Sequence, residues 1–311
     1  VATVIPYYNK FVDTYPDLKS LSKASLDELM MLWSGLGYYR RIKNIYLAAQ
    51  IISRKYDNKF PRDYEDILSL PGIGRTTASA ISTFSGYSHR AILDGNVKRI
   101  LRRYFNISYE NNSKTEKILW EKSIFVTPLK KTSQFIQAMM DIGSLVCTRS
   151  KPNCMMCPLK ELKCLYTEDV QKISKNKKNI KKINMYLLTL INSLDEVYLE
   201  KIKSGMLWEN LYSGPFFYSA TKMNLWLKKK RISAAKITNK FEINHRVTNK
   251  DIKITNYVYF LKNNKNVSLS TENWYNLAKL NVGIPKYFDK AIKVYRSEYE
   301  KDYVQKIEKR G

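Results

Sequence analysis

Apolar residues recur at three- and four-residue spacing over the first half of the chain, a period that predicts helices from residue 1 to about residue 166. Two segments, Ser25-x-x-Glu28 and Ser113-x-x-Glu116, have the spacing of capping boxes and mark predicted helix starts. Prolines at positions 6, 16, 61, 71 and 128 divide the pattern into short helices. We therefore predict an all-helical first domain over residues 1–166.

The pattern changes after a polar, lysine-rich stretch, which predicts a basic linker over residues 167–183. Beyond it, β-branched and aromatic residues predict strands at 185–191, 196–200 and 252–261. Helical patterns intervene near 219–229 and 286–297. The second domain, residues 184–311, is therefore predicted to be mixed α/β.

Charge narrows the class of partner. The 311 residues carry 54 Lys and Arg against 28 Asp and Glu, a formal net charge of +26. A polyanion relieves such self-repulsion, so nucleic acid is the expected partner. An anionic membrane is disfavoured because no apolar run reaches the roughly 18 residues of a spanning helix.

All four cysteines lie within eighteen residues, with the spacing Cys147-x6-Cys154-x2-Cys157-x6-Cys164. This clustering indicates a metal cage, with four unrelated core thiols as one alternative. Two disulfides are another, but no apolar secretory segment opens the chain, which favours a reduced cytosolic setting. A single C-x2-C pair in one compact loop suits an iron-sulfur cluster better than zinc, and zinc stays open.

A glycine-containing turn, Leu70-Pro-Gly-Ile-Gly-Arg75, lies between two predicted helices at 64–70 and 76–83. Gly72 and Gly74 would allow a tight turn that exposes N–H groups to a phosphate, although a plain interhelical turn has the same pattern. Asp94 follows at the start of another predicted helix, where an aspartate is most simply an N-cap.

These segments together resemble the helix-hairpin-helix DNA glycosylases, and specifically their adenine DNA glycosylase (MutY-type) branch. The matching stretches are residues 1–8, 32–40, 70–75, 92–99, 135–143 and 147–152, and the similarity weakens after Cys164. The sister endonuclease III branch shares the hairpin and the cysteines but not the Gly-Leu-Gly-Tyr-Tyr of residues 35–39 or the Leu-Asp-Gly-Asn-Val-Lys-Arg of residues 93–99.

The resemblance implies a monomeric base excision repair enzyme that flips adenine out of double-stranded DNA and cleaves its N-glycosidic bond. The adenine would be mispaired with 8-oxoguanine or guanine. Asp94 would stabilise the oxocarbenium ion, and the four cysteines would hold a [4Fe-4S] cluster. The Schiff-base lysine of glycosylase/lyases is replaced by Thr76, which implies monofunctional hydrolysis.

Further roles follow from the same resemblance. Tyr38 matches an aromatic wedge that enters the base stack, or it packs a helix end. Asp141 matches an acidic residue of the adenine pocket, or it makes a structural hydrogen bond. The residues expected to contact the DNA backbone are Gly72, Gly74, Arg75, Thr76, Lys98 and Arg99, with Arg149 and Lys151 in the cysteine loop.

The second domain is similar, at residues 203–212, to the opening of the family's MutT-like domain, which recognises 8-oxoguanine. The sequence contains no Nudix box, so we expect binding without hydrolysis. The family's Phe-Ser-His loop is expected at Val247-Thr248-Asn249, which lacks both the aromatic residue and the histidine. His245 is as compatible with a structural role as with a functional one.

The family's general-acid glutamate would lie two helical turns before the Val-Ala-Thr-Val-Ile-Pro of residues 1–6. We therefore expect the natural protein to have an N-terminal extension, and the 311-residue chain to excise adenine far more slowly than an extended form. Two alternatives remain open at this level: an endonuclease III-like glycosylase/lyase and a non-catalytic lesion-binding fragment.

Overall fold

The computed structural model describes residues 3–107, 112–166, 180–233, 237–247, 249–262 and 267–297. Its helices up to residue 166 confirm the predicted all-helical character of this part of the chain. They are α1 Ile5–Thr14, α2 Leu18–Lys23, α3 Leu26–Leu32, α4 Tyr39–Lys55, α5 Tyr64–Ser69, α6 Arg75–Phe84, α7 Gly95–Tyr104, α8 Ser113–Val126 and α9 Thr132–Asp141. A π-helical turn, Ile142–Val146, continues α9, and a short 3-10 turn, Cys154–Met156, lies in the cysteine loop.

One of the two predicted capping boxes is confirmed and the other is wrong. Ser25 and Glu28 exchange side chain to backbone hydrogen bonds of 3.2 and 2.7 Å at the start of α3. At α8, Asn112 is the N-cap, and its side chain accepts from the Thr115 N–H at 2.8 Å. Ser113 is therefore the first helical residue, because a capping side chain one position earlier sets the start.

The C-terminal part confirms the predicted α/β class. Its strands are β1 Lys181–Asn192, β2 Glu196–Tyr198, β3 Glu200–Lys201, β4 Tyr212–Ser213, β5 Phe216–Phe217, β6 Ile237–Val247, β7 Lys250–Leu261 and β8 Trp274–Asn276, with helices α10 Ala220–Lys229 and α11 Lys286–Tyr295. The main sheet has the order β6-β7-β1-β2-β8. β1 runs parallel to β7, and β6 runs antiparallel to it.

Helices cover both faces of this sheet. Leu187 on β1 packs with buried Tyr287 and Phe288 of α11, whereas its neighbour Leu188 packs with Met223 and Leu227 of α10. Successive strand residues point to opposite faces, so a run of apolar residues indicates a strand that is buried on both sides. β1 begins at Lys181, inside the predicted linker, and residues 167–179 lie outside the described part of the chain.

By contacts the chain forms two compact units: Val1–Tyr46 with Lys177–Gly311, and Leu47–Asn176. In the first unit, the Ser34 hydroxyl donates to the Ile284 carbonyl at 2.8 Å, and Lys201 pairs with Asp27 at 2.5 Å. A Cβ at Gly283 would lie 2.8 Å from the Met30 carbonyl oxygen, so the backbones touch there. The described residues up to Tyr46 thus pack with the C-terminal part, although their pattern groups them with the other helices.

Candidate active site

The glycine-containing turn joins α5 to α6. Gly72 adopts φ 79°, a left-handed conformation that favours glycine, and Gly74 is the N-cap of α6. The N-cap residue makes no side-chain hydrogen bond to this helix, so the first N–H groups lack a side-chain cap. The helix-hairpin-helix prediction is confirmed in shape, and the uncapped start of α6 is suited to an anion.

Asp94 lies beside this hairpin at the start of α7. Its Oδ1 accepts from the N–H groups of Asn96 at 3.1 Å and Val97 at 2.8 Å. The Thr76 hydroxyl donates to the Leu93 carbonyl at 3.2 Å and so joins the start of α6 to the residue before Asp94. Among the described residues, none donates to Oδ2. The carboxylate is therefore an N-cap that keeps one oxygen available at a partly exposed position.

The predicted phosphate partners on α7 have protein partners already. Lys98 pairs with Glu116 at 2.7 Å. The Arg99 guanidinium donates to the carbonyls of Cys147, at 2.7 Å, and Gly143. To bind DNA, Lys98 would have to leave the Glu116 carboxylate for a phosphate. Arg99 primarily joins α7 to the turn after α9.

Arg75 and Asp141 also have defined neighbours. The Arg75 guanidinium lies 3.8 Å from the centroid of the Trp120 ring, a cation–π contact that fixes its side chain at the start of α6. Asp141 is exposed at the end of α9 and accepts from Gln137 Nε2 at 2.9 Å. The structural hydrogen bond that we considered for Asp141 is thus present.

Tyr38 projects from a turn whose backbone is left-handed at three positions, Gly35 (φ 90°), Gly37 (φ 83°) and Tyr38 itself (φ 52°). The Trp33 Nε1–H donates to the Gly37 carbonyl at 2.9 Å, and the Tyr39 hydroxyl accepts from the Gly35 N–H at 3.1 Å. Tyr38 is 82% exposed. The Tyr39 hydroxyl is thus bonded within this turn, whereas the Tyr38 side chain is held outward.

The four cysteines line one small cavity together with apolar residues that include Ile100 and Leu159. Burial raises the pKa of the Cys154 and Cys164 thiols, and the neighbouring thiols of Cys147 and Cys157 raise it further. Four thiolates so close together repel one another unless a cation joins them.

No three His, Cys, Asp or Glu side chains in the described part of the chain are placed to hold one metal ion. A tetrahedral zinc site would bring its sulfurs to within about 3.8 Å of each other, since Zn–S bonds are roughly 2.3 Å. The four thiols line one cavity, and four cysteine ligands are the set used by iron-sulfur clusters as well as by structural zinc sites.

Arg103 is the site residue that we did not predict. It is 3% exposed and donates to Cys147 Sγ at 3.1 Å, to the Thr148 carbonyl at 2.8 Å and to the Arg149 carbonyl at 3.2 Å. Its position four residues after Arg99, one helical turn along α7, is the sequence signal that could have revealed it.

Replacing Arg103 with methionine should lower the free energy of unfolding by about 2–4 kcal/mol, because the Cys147 sulfur and two carbonyls lose a charged, buried donor. Urea unfolding followed by circular dichroism measures the change. Lys117→Met, at an exposed position of the neighbouring helix α8, is the matched control and should stay within about 0.5 kcal/mol. Equal losses in both variants would show that Arg103 does not support the cysteine loop.

A cleft of about 880 Å³ lies within the first unit, and its lining includes the rings of Tyr38, Trp208 and His245. The Trp208 and His245 ring centroids are 5.9 Å apart. Burial lowers the pKa of His245, with Lys290 and Lys286 adding to the shift, so its ring is neutral at pH 7. The predicted counterpart of the family's loop, residues 247–249, reaches this cleft at Val247, which lines it together with His245 and Arg246, and Thr248 lies outside the described residues.

Among the described helices, none is long and apolar enough to span a lipid bilayer.

The hairpin, the adjacent carboxylate and the cysteine loop define the class of protein. Residues 1–123 match the family model described as "HhH-GPD superfamily base excision DNA repair protein".

Individual relatives identify the family more narrowly than the superfamily model does. The chain is 37% identical over 300 residues to the adenine DNA glycosylase of Buchnera aphidicola subsp. Baizongia pistaciae, covering 94% of this chain and 84% of that protein. It is 37% identical to the same enzyme of Buchnera aphidicola subsp. Acyrthosiphon pisum, covering 95% and 86%. The human adenine DNA glycosylase is 36% identical over 164 residues, 52% of this chain and 30% of that protein. The chain belongs to the adenine DNA glycosylase family.

Proposed function

We propose that this protein removes adenine from double-stranded DNA by hydrolysis of its N-glycosidic bond, where the adenine is mispaired with 8-oxoguanine or guanine. The observation that carries the proposal is the placement of Asp94. Its carboxylate is held by two N–H groups of α7 beside the hairpin, with Oδ2 free of donors among the described residues. A fixed negative charge in such a position stabilises a sugar that becomes positively charged.

The chemistry follows from this geometry. As the bond between C1′ and N9 breaks, its electron pair leaves with adenine, and a proton at N7 makes the base a better leaving group. The sugar becomes an oxocarbenium ion, to which Asp94 Oδ2 would lie closest. Water then adds to C1′ and loses a proton, which leaves an abasic site. Thr76 offers no amine for a covalent sugar intermediate, and its hydroxyl is bonded to the Leu93 carbonyl.

DNA binding would divide between two kinds of contact. The uncapped N–H groups at the start of α6 suit one backbone phosphate, which sets position without reading a base. Tyr38, held outward by its turn, is suited to enter the base stack and offset part of the cost of flipping. Arg75, Lys98, Arg99 and Asp141 are weaker candidates for direct contact, since each has a partner within the protein.

The base left unpaired on the opposite strand would lie in the cleft beside Tyr38. Aromatic rings stack on any base, and cationic side chains favour the attached phosphates. The cleft offers both, through Trp208 and His245 and through Arg40 and Lys286. This surface would replace the Phe-Ser-His loop of the family.

We further propose that Cys147, Cys154, Cys157 and Cys164 hold a [4Fe-4S] cluster, since all four thiols converge on one cavity. The cluster would supply the positive charge that lets four thiolates lie together. Arg103 and Arg99 fasten the loop to α7, and Arg149 and Lys151 would then be presented to DNA. The cysteine loop is structural in this account.

Borohydride trapping distinguishes hydrolysis from lyase chemistry. With a duplex that contains adenine opposite guanine or 8-oxoguanine, we expect release of free adenine and no covalent complex after reduction, because Thr76 occupies the place of the lysine. A duplex with adenine opposite thymine is the matched control and should release far less adenine. A trapped protein–DNA complex would contradict the proposal and favour an endonuclease III-like lyase.

A further inference from the structure

A second concavity of the first unit, of about 560 Å³, adjoins the cleft that contains Tyr38. The two share Gly205, Met206 and Leu207, which form the ridge between them. Beyond the ridge the lining includes Lys182, Lys250, Asn184 and Tyr218, and we call this surface the lysine groove. It lies at the end of the β1–β7 pair, within the domain of the main sheet.

The two lysines of the lysine groove form no ion pair with any residue that the structure describes. None of the described residues that line it is acidic. Neither Lys182 nor Lys250 forms an ion pair or a side-chain hydrogen bond with any residue that the structure describes. The Tyr218 hydroxyl likewise has no described hydrogen-bond partner, and its side chain is about half exposed. The groove therefore offers donors and positive charge without acceptors of its own.

The strand register concentrates this charge. Lys181 on β1, which does not line the groove, lies directly opposite Lys250 on β7, and the groove residue Lys182 lies opposite Asp251. Like charges at directly opposed positions destabilise a sheet unless an anion lies between or beside them. The carboxylate at this end, Asp251, is within 3.4 Å of Arg246, so it is already shared with another cation.

We propose that the lysine groove binds the phosphodiester backbone of the DNA strand that continues from the Tyr38 cleft across the 205–207 ridge. The chemistry on the two sides of the ridge differs in the way that one strand requires. The cleft combines aromatic rings with cationic side chains, which suits an unstacked base and its phosphate, whereas the groove has lysines and hydroxyl or amide donors, which suit further phosphate oxygens. The inference rests on the proposed function, because it takes the ligand of the cleft to be DNA.

The test is a salt titration of DNA binding by fluorescence anisotropy, with a duplex that contains an adenine–guanine mispair. Each lost phosphate contact reduces the slope of log K against log salt by about 0.9. The double variant Lys182→Ser/Lys250→Ser should therefore lose about 2 from the slope. At 0.15 M salt it should bind roughly 30-fold more weakly, about fivefold per contact.

The matched control removes the same charge elsewhere. Lys228 and Lys229 are exposed on α10 and do not line the groove, so Lys228→Ser/Lys229→Ser should change the slope by less than about 0.5. Lys182→Arg/Lys250→Arg keeps both charges and should retain the wild-type slope. Thermal unfolding by circular dichroism checks that each variant is folded.

Three results would overturn the proposal: an unchanged slope in the groove variant, an equal loss in the α10 variant, or failure of the arginine variant to retain the slope. The outcome is separable from that of the proposed function. Adenine release by the wild-type protein tests the function, whereas the slope difference between the variants tests the groove. A protein that binds through the groove but releases no adenine would refute the function and leave the groove standing.

Discussion

Replacing Asp94 with asparagine is expected to slow adenine release in a single turnover by about 10²–10³-fold. Asparagine is as good an N-cap as aspartate and can still accept from the Asn96 and Val97 N–H groups. The substitution therefore removes the negative charge beside the sugar and keeps the local fold. The free energy of unfolding should change by less than about 0.5 kcal/mol. Quenched-flow or manual sampling with protein in excess over DNA measures the rate.

Asp63 is the matched control for this prediction. It is the N-cap of α5, and its Oδ1 accepts from the N–H groups of Glu65 at 2.9 Å and Asp66 at 3.2 Å, the same pattern as at Asp94. Asp63→Asn should leave the rate of adenine release unchanged. If Asp94→Asn and Asp63→Asn had the same rate, the carboxylate of Asp94 would be a helix cap and nothing more.

The second large effect is expected at the cysteine loop. Cys157→Ala should remove most of the iron, about four atoms per chain for a [4Fe-4S] cluster, and with it the brown absorbance of the purified protein. Three remaining thiols cannot hold the cluster at all four corners, and the loop that Arg103 fastens to α7 would lose the cluster that links its cysteines. Iron analysis and the visible spectrum measure the loss, and DNA affinity should fall with it.

Met156 provides the control, since it lies beside Cys157, is 73% exposed and has no thiol. Met156→Ala should retain the iron and the colour. A colourless wild-type protein with about one zinc per chain would contradict the iron-sulfur assignment, and full retention of iron in Cys157→Ala would remove that cysteine from the ligand set.

Local chemistry explains which parts of the fold could be predicted from the sequence. The period of apolar residues gave the helices, the glycines of residues 72 and 74 gave the turn, and Asp94 was identifiable as an N-cap because capping involves residues two and three positions away. Even here the start of α8 was misplaced by one residue, since both Asn112 and Ser113 are good caps. Choices between neighbouring caps depend on small differences in free energy.

The sequence pattern could not predict contacts between residues that are far apart in the chain. Lys98 and Arg99 are basic residues near a hairpin, and only the fold shows that Glu116 and the Cys147 carbonyl already hold them. The ring of Trp208 meets His245 across 37 positions of sequence, so the aromatic side of the cleft had no local signal. Burial of Arg103 among the carbonyls of the cysteine loop was hidden for the same reason.

The grouping of residues up to 46 with the C-terminal part has a consequence for synthesis. Gly283 follows Met30 by 253 positions, and a ribosome needs roughly 20 s to add that many residues. During that interval Leu29 and Met30, which end up almost fully buried, have emerged without the backbone of Gly283 against which they close. The nascent chain must keep this early apolar segment unaggregated until its last strands and helix arrive, which makes the opening helices a natural client for a chaperone.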